Sequence, residues 1–213
     1  FRFLDVRRMD LGMVPTLVAR ISFTGELSYE IAVPANRGAE LWAKVAEAGA
    51  AHDIQPYGTE AMHIMRAEKG FVMIGDETDG TVIPQDLNMG WIISKKKTDY
   101  LGKRAQERSY MASPDRWRLV GLETLDGSVI PDGAYAVGEG VNANGQRNMI
   151  GRVTSTYYSP TIRKGIAMGL IQHGPDRMGE VVDFATLDGT GTVIKAKIVE
   201  TCFYDKEGAK ADV

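Results

Sequence analysis

From Trp117 onward the chain offers little that can build a long helix and much that can build strands. Short β-forming runs recur at 117–124, 135–137, 150–158, 165–171, 181–187 and 192–203. Asp126-Gly127, Asn144-Gly145 and Asp188-Gly189 punctuate them, dipeptides that readily take the positive φ angles of tight turns. Short strands at this spacing either close into a small β-barrel or stack as a sandwich.

The first half is organised differently. TLVARISF at 16–23 and YEIAV at 29–33 read as strands, joined at 24–28 by a glycine-bearing connection of hairpin length. Pro34 and Asn36 close the second strand, and Leu41, Val45 and Ala48 at helical spacing predict an amphipathic helix over 36–52. A second helix is expected over 57–69, capped by Thr59 and stopped by Gly70, and a third over 99–108. Between them, 75–90 (GDETDGTVIPQDLNMG) reads as a long acidic loop. The polar, proline-containing stretch 109–116 divides the chain into a domain at 1–108, a linker, and a domain at 117–213.

Composition narrows the function. With 25 Lys+Arg against 28 Asp+Glu and a net charge of −3, the chain lacks the basic surplus of a general nucleic-acid binder. No apolar run approaches the ~20 residues of a membrane-spanning helix. The single cysteine, Cys202, has no partner for an internal disulfide and suits a reducing cytoplasm. His52, His63 and His173 are scattered, without metal-ligand spacing. Gly138-Glu139-Gly140 has no following helix to aim amides at a phosphate and reads as a turn, while Lys95-Lys96-Lys97 reads as a solvated loop. The chain opens on Phe1 without a signal-peptide layout, and reads as a piece of something longer.

Residues 20–30 (RISFTGELSYE) bring two glutamates and an arginine into strand-like sequence. Arg20 and Glu26 are placed to pair across the turn. Side-chain alternation sets Glu30 on the face opposite Tyr29 and Ile31. An exposed strand glutamate and a carboxylate aimed into a pocket both satisfy that pattern.

RISFTGELSYEI at 20–31 resembles the folate-binding signature of the glycine-cleavage T-protein superfamily, roughly R-x-x-[YF]-T-G-E-x-x-x-E. GRVTSTYYSPTIRKGIAMGLI at 151–171 resembles the signature of that superfamily's C-terminal domain, G-x-V-T-S…S-P…I-A-M-G. Within the superfamily, the stretches 57–81 and 84–104 are similar to the α subunits of heterotetrameric sarcosine oxidases. The resemblance covers nearly the whole chain. It implies an α+β fold, the second half of a T-protein-like folate-binding domain followed by a small all-β barrel-like domain.

The resemblance also implies a function. Tetrahydrofolate would accept the one-carbon unit of oxidised sarcosine as 5,10-methylenetetrahydrofolate. FAD or FMN and NAD are expected elsewhere in the full complex, and the partners are the other sarcosine oxidase subunits, with no nucleic acid and no membrane. Glu30 would hold the pterin, Phe23 would pack beside it, and Tyr204 would approach the folate tail or pack at the barrel edge. The family's catalytic aspartate falls upstream of Phe1, so no catalytic residue is expected here and the fragment alone should be inactive. A pterin presents a ring N–H beside an exocyclic amine, and an ionised carboxylate offers two acceptors in matching geometry.

Two departures shape the alternatives. Glu60 stands where T-proteins carry a folate-contacting arginine, which weighs against a glycine-cleavage aminomethyltransferase. Lys69-Gly70-Phe71 lacks the cysteine of the K-G-C-[YF] motif found in relatives that support iron–sulfur assembly. A non-enzymatic folate-binding or structural module is the third alternative.

Overall fold

The structure is a computed structural model that describes residues 1–186 and 188–211. By packing it divides into two compact units, Phe1–Arg66 with Asp205–Val213, and Ala67–Tyr204.

In the first unit, strands β1 (Val6–Leu11), β2 (Val14–Ala19) and β3 (Glu30–Ala32) form an antiparallel sheet in the order β1-β2-β3. β2 alternates cleanly, with Val14, Thr16 and Val18 buried between more exposed neighbours. Helix α1 (Gly38–Gly49), flanked by single 3-10 turns at Ala35–Arg37 and Ala50–His52, fills the span expected of an amphipathic helix and buries Leu41. Helix α2 (Thr59–Glu68) carries the chain from the first unit into the second. Thr59 is its first residue and not its cap, and Gly70, at φ +75°, ends the helical path.

The strand expected over 16–23 stops at Ala19, and the connection to β3 runs ten residues, 20–29, well beyond hairpin length. The reason is where the backbone hydrogen bonds go. Ser22 Oγ accepts from Gly25 N at 2.8 Å, Gly25 sits at φ +84°, and Leu27 N donates to Lys210 O at 3.0 Å. Side chains and a distant segment thus take the place of a ladder. The third expected helix shrinks to α3 (Lys103–Gln106), because Gly102 at φ +93° breaks the path before it.

The second unit holds the predicted barrel. β4 (Trp117–Thr124), β5 (Tyr135–Val141), β6 (Arg147–Ser159), β7 (Lys164–Gln172), β8 (Val181–Ala185) and β9 (Val193–Val199) close antiparallel in the order β4-β7-β6-β5-β8-β9. Each expected run finds its strand; Leu187, at the end of the run 181–187, lies outside the described residues. Gly138-Glu139-Gly140 lies within β5, where the register against β6 shifts, and is therefore an irregular stretch of strand and not a turn. Inside the barrel Val120, Leu122, Val153, Ala167, Ile171, Phe184 and Ile198 form the core.

The opposite faces of β4 and β7 are also covered. Leu119, Ile166, Met168 and Leu170 pack with Ala67, Val72, Val82, Leu87 and Phe203. Strands buried on both sides lose polar alternation, which explains the continuous apolar run of β7 (KGIAMGLIQ). At Gly121 a Cβ would lie 2.2 Å from Glu200 O, so only glycine lets the chain cross there.

The acidic segment 75–90, with Glu68 before it, is fastened to this barrel. Glu68 accepts from the hydroxyls of Ser159 and Thr161 at the β6–β7 turn. Glu77, fully buried, accepts from Thr154 Oγ1 at 3.0 Å, from Ser155 Oγ and from Met73 N at 2.7 Å. Asp79 accepts from Arg152 at 2.8 Å, and buried Asp86 pairs with Arg116 through both oxygens. By packing, the stretch 109–116 lies within the second compact unit, Ala67–Tyr204.

Two outcomes test this attachment. Glu77→Ala removes the acceptor shared by the Thr154 and Ser155 hydroxyls and the Met73 N–H, and should lower unfolding free energy by about 2–4 kcal/mol in urea titrations. The Thr81 hydroxyl and N–H, then Arg152, pull the Asp79 carboxyl down to about 2. Its pKa falls on folding, so its contribution is complete above the unfolded value of 3.8 and is lost as pH drops toward 2. Asp79→Asn should flatten the fall of melting temperature across that acid window, read by circular dichroism.

Candidate functional site

Glu30 opens β3, an edge strand held by three pairs: Ala19↔Glu30, Val18↔Ile31 and Leu17↔Ala32. Val18 faces the buried side, so its partner Ile31 does too, and Glu30 with Ala32 faces the open side. The open face continues across β2 and β1. Ala19 pairs with Val6, and Leu17 with Arg8, giving the rows Val6–Ala19–Glu30 and Arg8–Leu17–Ala32.

Glu30 is exposed, and among the described residues its carboxylate takes part in no hydrogen bond or ion pair. Ala19 beside it and Ala32 along the strand place only small side chains next to it on that face. The acid therefore faces outward over small side chains, with both oxygens available to a flat, donor-bearing ligand.

Phe23 lies half-buried in the loop 20–29, next to buried Thr24 and Gly25. Arg20 fixes that loop's start by donating to the carbonyl oxygens of Phe1 at 2.8 Å and Ala211 at 2.6 Å. The segment 205–211 is in turn ordered by Asp205, whose carboxylate accepts from the N–H groups of Ala209 and Lys210. At the loop's other end Tyr29 meets Phe1 edge-on at 5.6 Å between ring centroids, and the Arg7 guanidinium covers Phe1 at 4.3 Å.

Phe23 and Glu30 thus share one loop-and-strand element of the first unit. Tyr204 belongs to the second, where it is half-buried and its N–H donates to Glu68 O at 3.0 Å. Glu60, the residue in place of the family arginine, is exposed in the first turn of α2, where a negative charge suits the helix dipole. Arg8, Ala19 and Ala32 join Glu30 only through strand register. Among the described residues no group of three or more His, Cys, Asp or Glu could hold a metal ion, and no helix is long and apolar enough to cross a membrane.

Comparison with known proteins adds three findings. Residues 1–97 match the GCVT N-terminal domain, and residues 118–205 the glycine cleavage T-protein C-terminal barrel domain. The whole chain is 39% identical to sarcosine oxidase subunit alpha of Corynebacterium sp. (strain P-1) and 37% identical to that of Rhizobium meliloti (strain 1021). It spans 22% of the length of each. In structure, 90% of the chain superposes on half of the glycine cleavage system aminomethyltransferase T from Bartonella henselae, with a TM-score of 0.74 and 25% identity.

The loop's dependence on Arg20 is testable by hydrogen-exchange NMR. Arg20→Ala removes both carbonyl contacts and should speed exchange of the Gly25 and Leu27 amides at least tenfold, leaving β6 and β7 at their original rates.

Proposed function

Because this chain belongs to the glycine cleavage T-protein family, we propose that it is the tetrahydrofolate-binding portion of a sarcosine oxidase α subunit. Identity along the whole of this chain to two such subunits, of which it spans 22%, supports the choice of branch. The single observation that carries the ligand is Glu30: an exposed carboxylate without a protein partner among the described residues, set over alanines on an open sheet face.

In this reading Glu30 accepts two parallel hydrogen bonds from the pteridine edge, fixing both the plane and the direction of the ring. Phe23, half-buried beside the turn, offers an aromatic surface to the same ring. The two side chains orient the ligand and exclude water from its edge; they take no part in bond making. Tetrahydrofolate, when bound, supplies two amine nitrogens that take up the methylene of the sarcosine imine, releasing glycine and giving 5,10-methylenetetrahydrofolate. The flavin that oxidises sarcosine, and NAD, belong to other parts of the complex, whose subunits are the proposed partners. The proposed sequence domains are 1–108 and 117–213, joined by 109–116, in a cytoplasmic enzyme.

The structural likeness to an aminomethyltransferase favours a second reading, transfer of a one-carbon group from an aminomethylated lipoyl carrier. Assay of the intact protein with each donor separates the two.

Titration calorimetry of the full-length protein in its complex tests the ligand. Glu30→Gln replaces one acceptor with a donor, and affinity for tetrahydrofolate should fall at least tenfold. Unchanged affinity overturns the assignment.

A further inference from the structure

The lysine run at 95–97 is a solvated loop in the structure, but it does not stand alone. Residues 91–108 (WIISKKKTDYLGKRAQER) hold six lysines and arginines against two acids. That is a net of +4 within a chain of net −3, which leaves −7 on the remainder. The two acids are engaged locally: Asp99 accepts from Tyr100 N at 2.9 Å, and Glu107 lies 3.8 Å from Lys103 Nζ. Lys95, Lys96, Lys97, Arg104 and Arg108 are exposed, and among the described residues their side chains have no hydrogen bond, ion pair or ring contact.

The same segment exposes apolar groups. Trp91 and Ile92, in a single 3-10 turn at Gly90–Ile92, are 78% and 53% exposed, and Leu101 is fully exposed. Ile92, Ile93, Tyr100 and Leu101, with Lys96 and Lys97, line an open groove of about 910 Å3. The groove is built in advance of any occupant: Tyr100 Oη donates to Gln106 Oε1 at 3.1 Å, and Lys103 Nζ donates to Thr98 O at 2.7 Å. An apolar patch rimmed by charge marks an interaction surface.

Charge and shape together select the occupant. The cationic rim calls for a surface rich in Asp and Glu. The groove calls for a projecting apolar side chain, which a flat layer of lipid headgroups does not present. We propose that residues 91–108 are the docking surface for an acidic face of another subunit of the complex. Its carboxylates meet Lys95, Lys96, Lys97, Arg104 and Arg108 around one apolar side chain seated in the groove. This inference goes beyond the folate reading and rests on the chain being part of an oxidase α subunit. Exposed charges are screened within about 10 Å at 0.1 M salt and about 3 Å at 1 M, so the attraction of the rim fades as salt rises.

The test uses the full-length protein produced together with its own subunits. One variant combines Lys95→Glu, Lys96→Glu and Lys97→Glu; the three side chains are exposed, so its melting temperature should match that of the unaltered protein. Its subunit dissociation constant, read by mass photometry on dilution, should rise at least tenfold near 0.1 M salt, the gap closing toward 1 M. The corresponding Lys→Arg variant should assemble normally, and acetic anhydride should label the three lysines more slowly in the complex than in the isolated full-length subunit. An unchanged dissociation constant, or a loss equal at both salt concentrations, overturns the proposal. Lysines already shielded in the isolated subunit overturn it too, since the cover is then the rest of the same chain. Binding to phosphatidylserine vesicles that the Lys→Glu variant loses assigns the face to lipid instead. If the unaltered protein purifies without other subunits, the α-subunit reading itself fails and this surface with it; a complex indifferent to the variant sinks the docking surface alone.

Discussion

A carboxylate sealed from water must be answered by donors, and much of the second unit is arranged around that requirement. Glu68, Glu77 and Asp86 are all buried, and each is met from the barrel unit: Ser159 and Thr161, Thr154 and Ser155, and Arg116. Burying any of these acids alone would cost several kcal/mol, so the donors and the segment 67–90 must assemble together. The apolar contacts of Leu119, Met168 and Leu170 beneath them supply the gain, and the acids fix where the segment sits.

This also explains the polar letters of the motif at 151–171. Arg152, Thr154, Ser155, Ser159 and Thr161 are the fasteners that answer Glu68, Glu77 and Asp79. In this chain the polar positions of the motif are points of attachment. The long acidic loop is likewise structural through Glu77 and Asp86.

The barrel was legible because its turns are chemically explicit: Asp126-Gly127 and Asn144-Gly145 mark reversals, and β-branched runs lie between them. β1 was not legible. VRRMDL has no period-two pattern, since five of its six residues are exposed and Leu11 is only half-buried. Missing β1 hid the sheet's register, and with it the placement of Arg8, Ala19 and Ala32 around Glu30. The loop at 20–29 escaped because its backbone bonds run to Lys210 and its Arg20 to Ala211, contacts nearly two hundred residues away that local pattern cannot encode. Glu30 and Phe23 were reached through family likeness, while spacing alone left the acid undecided between solvent and pocket.

The short ladder that holds β3 carries a consequence for how the chain could fail. A slide of one position would exchange Ile31 for Glu30 on the interior side, burying a charge and presenting a hydrocarbon to any visiting molecule. Because the neighbouring alanines resist neither arrangement by bulk, correct alignment must come from Ile31 seeking cover beside Val18. The recognition proposed for this face would in that sense be guarded by an aliphatic side chain on the opposite side of the strand.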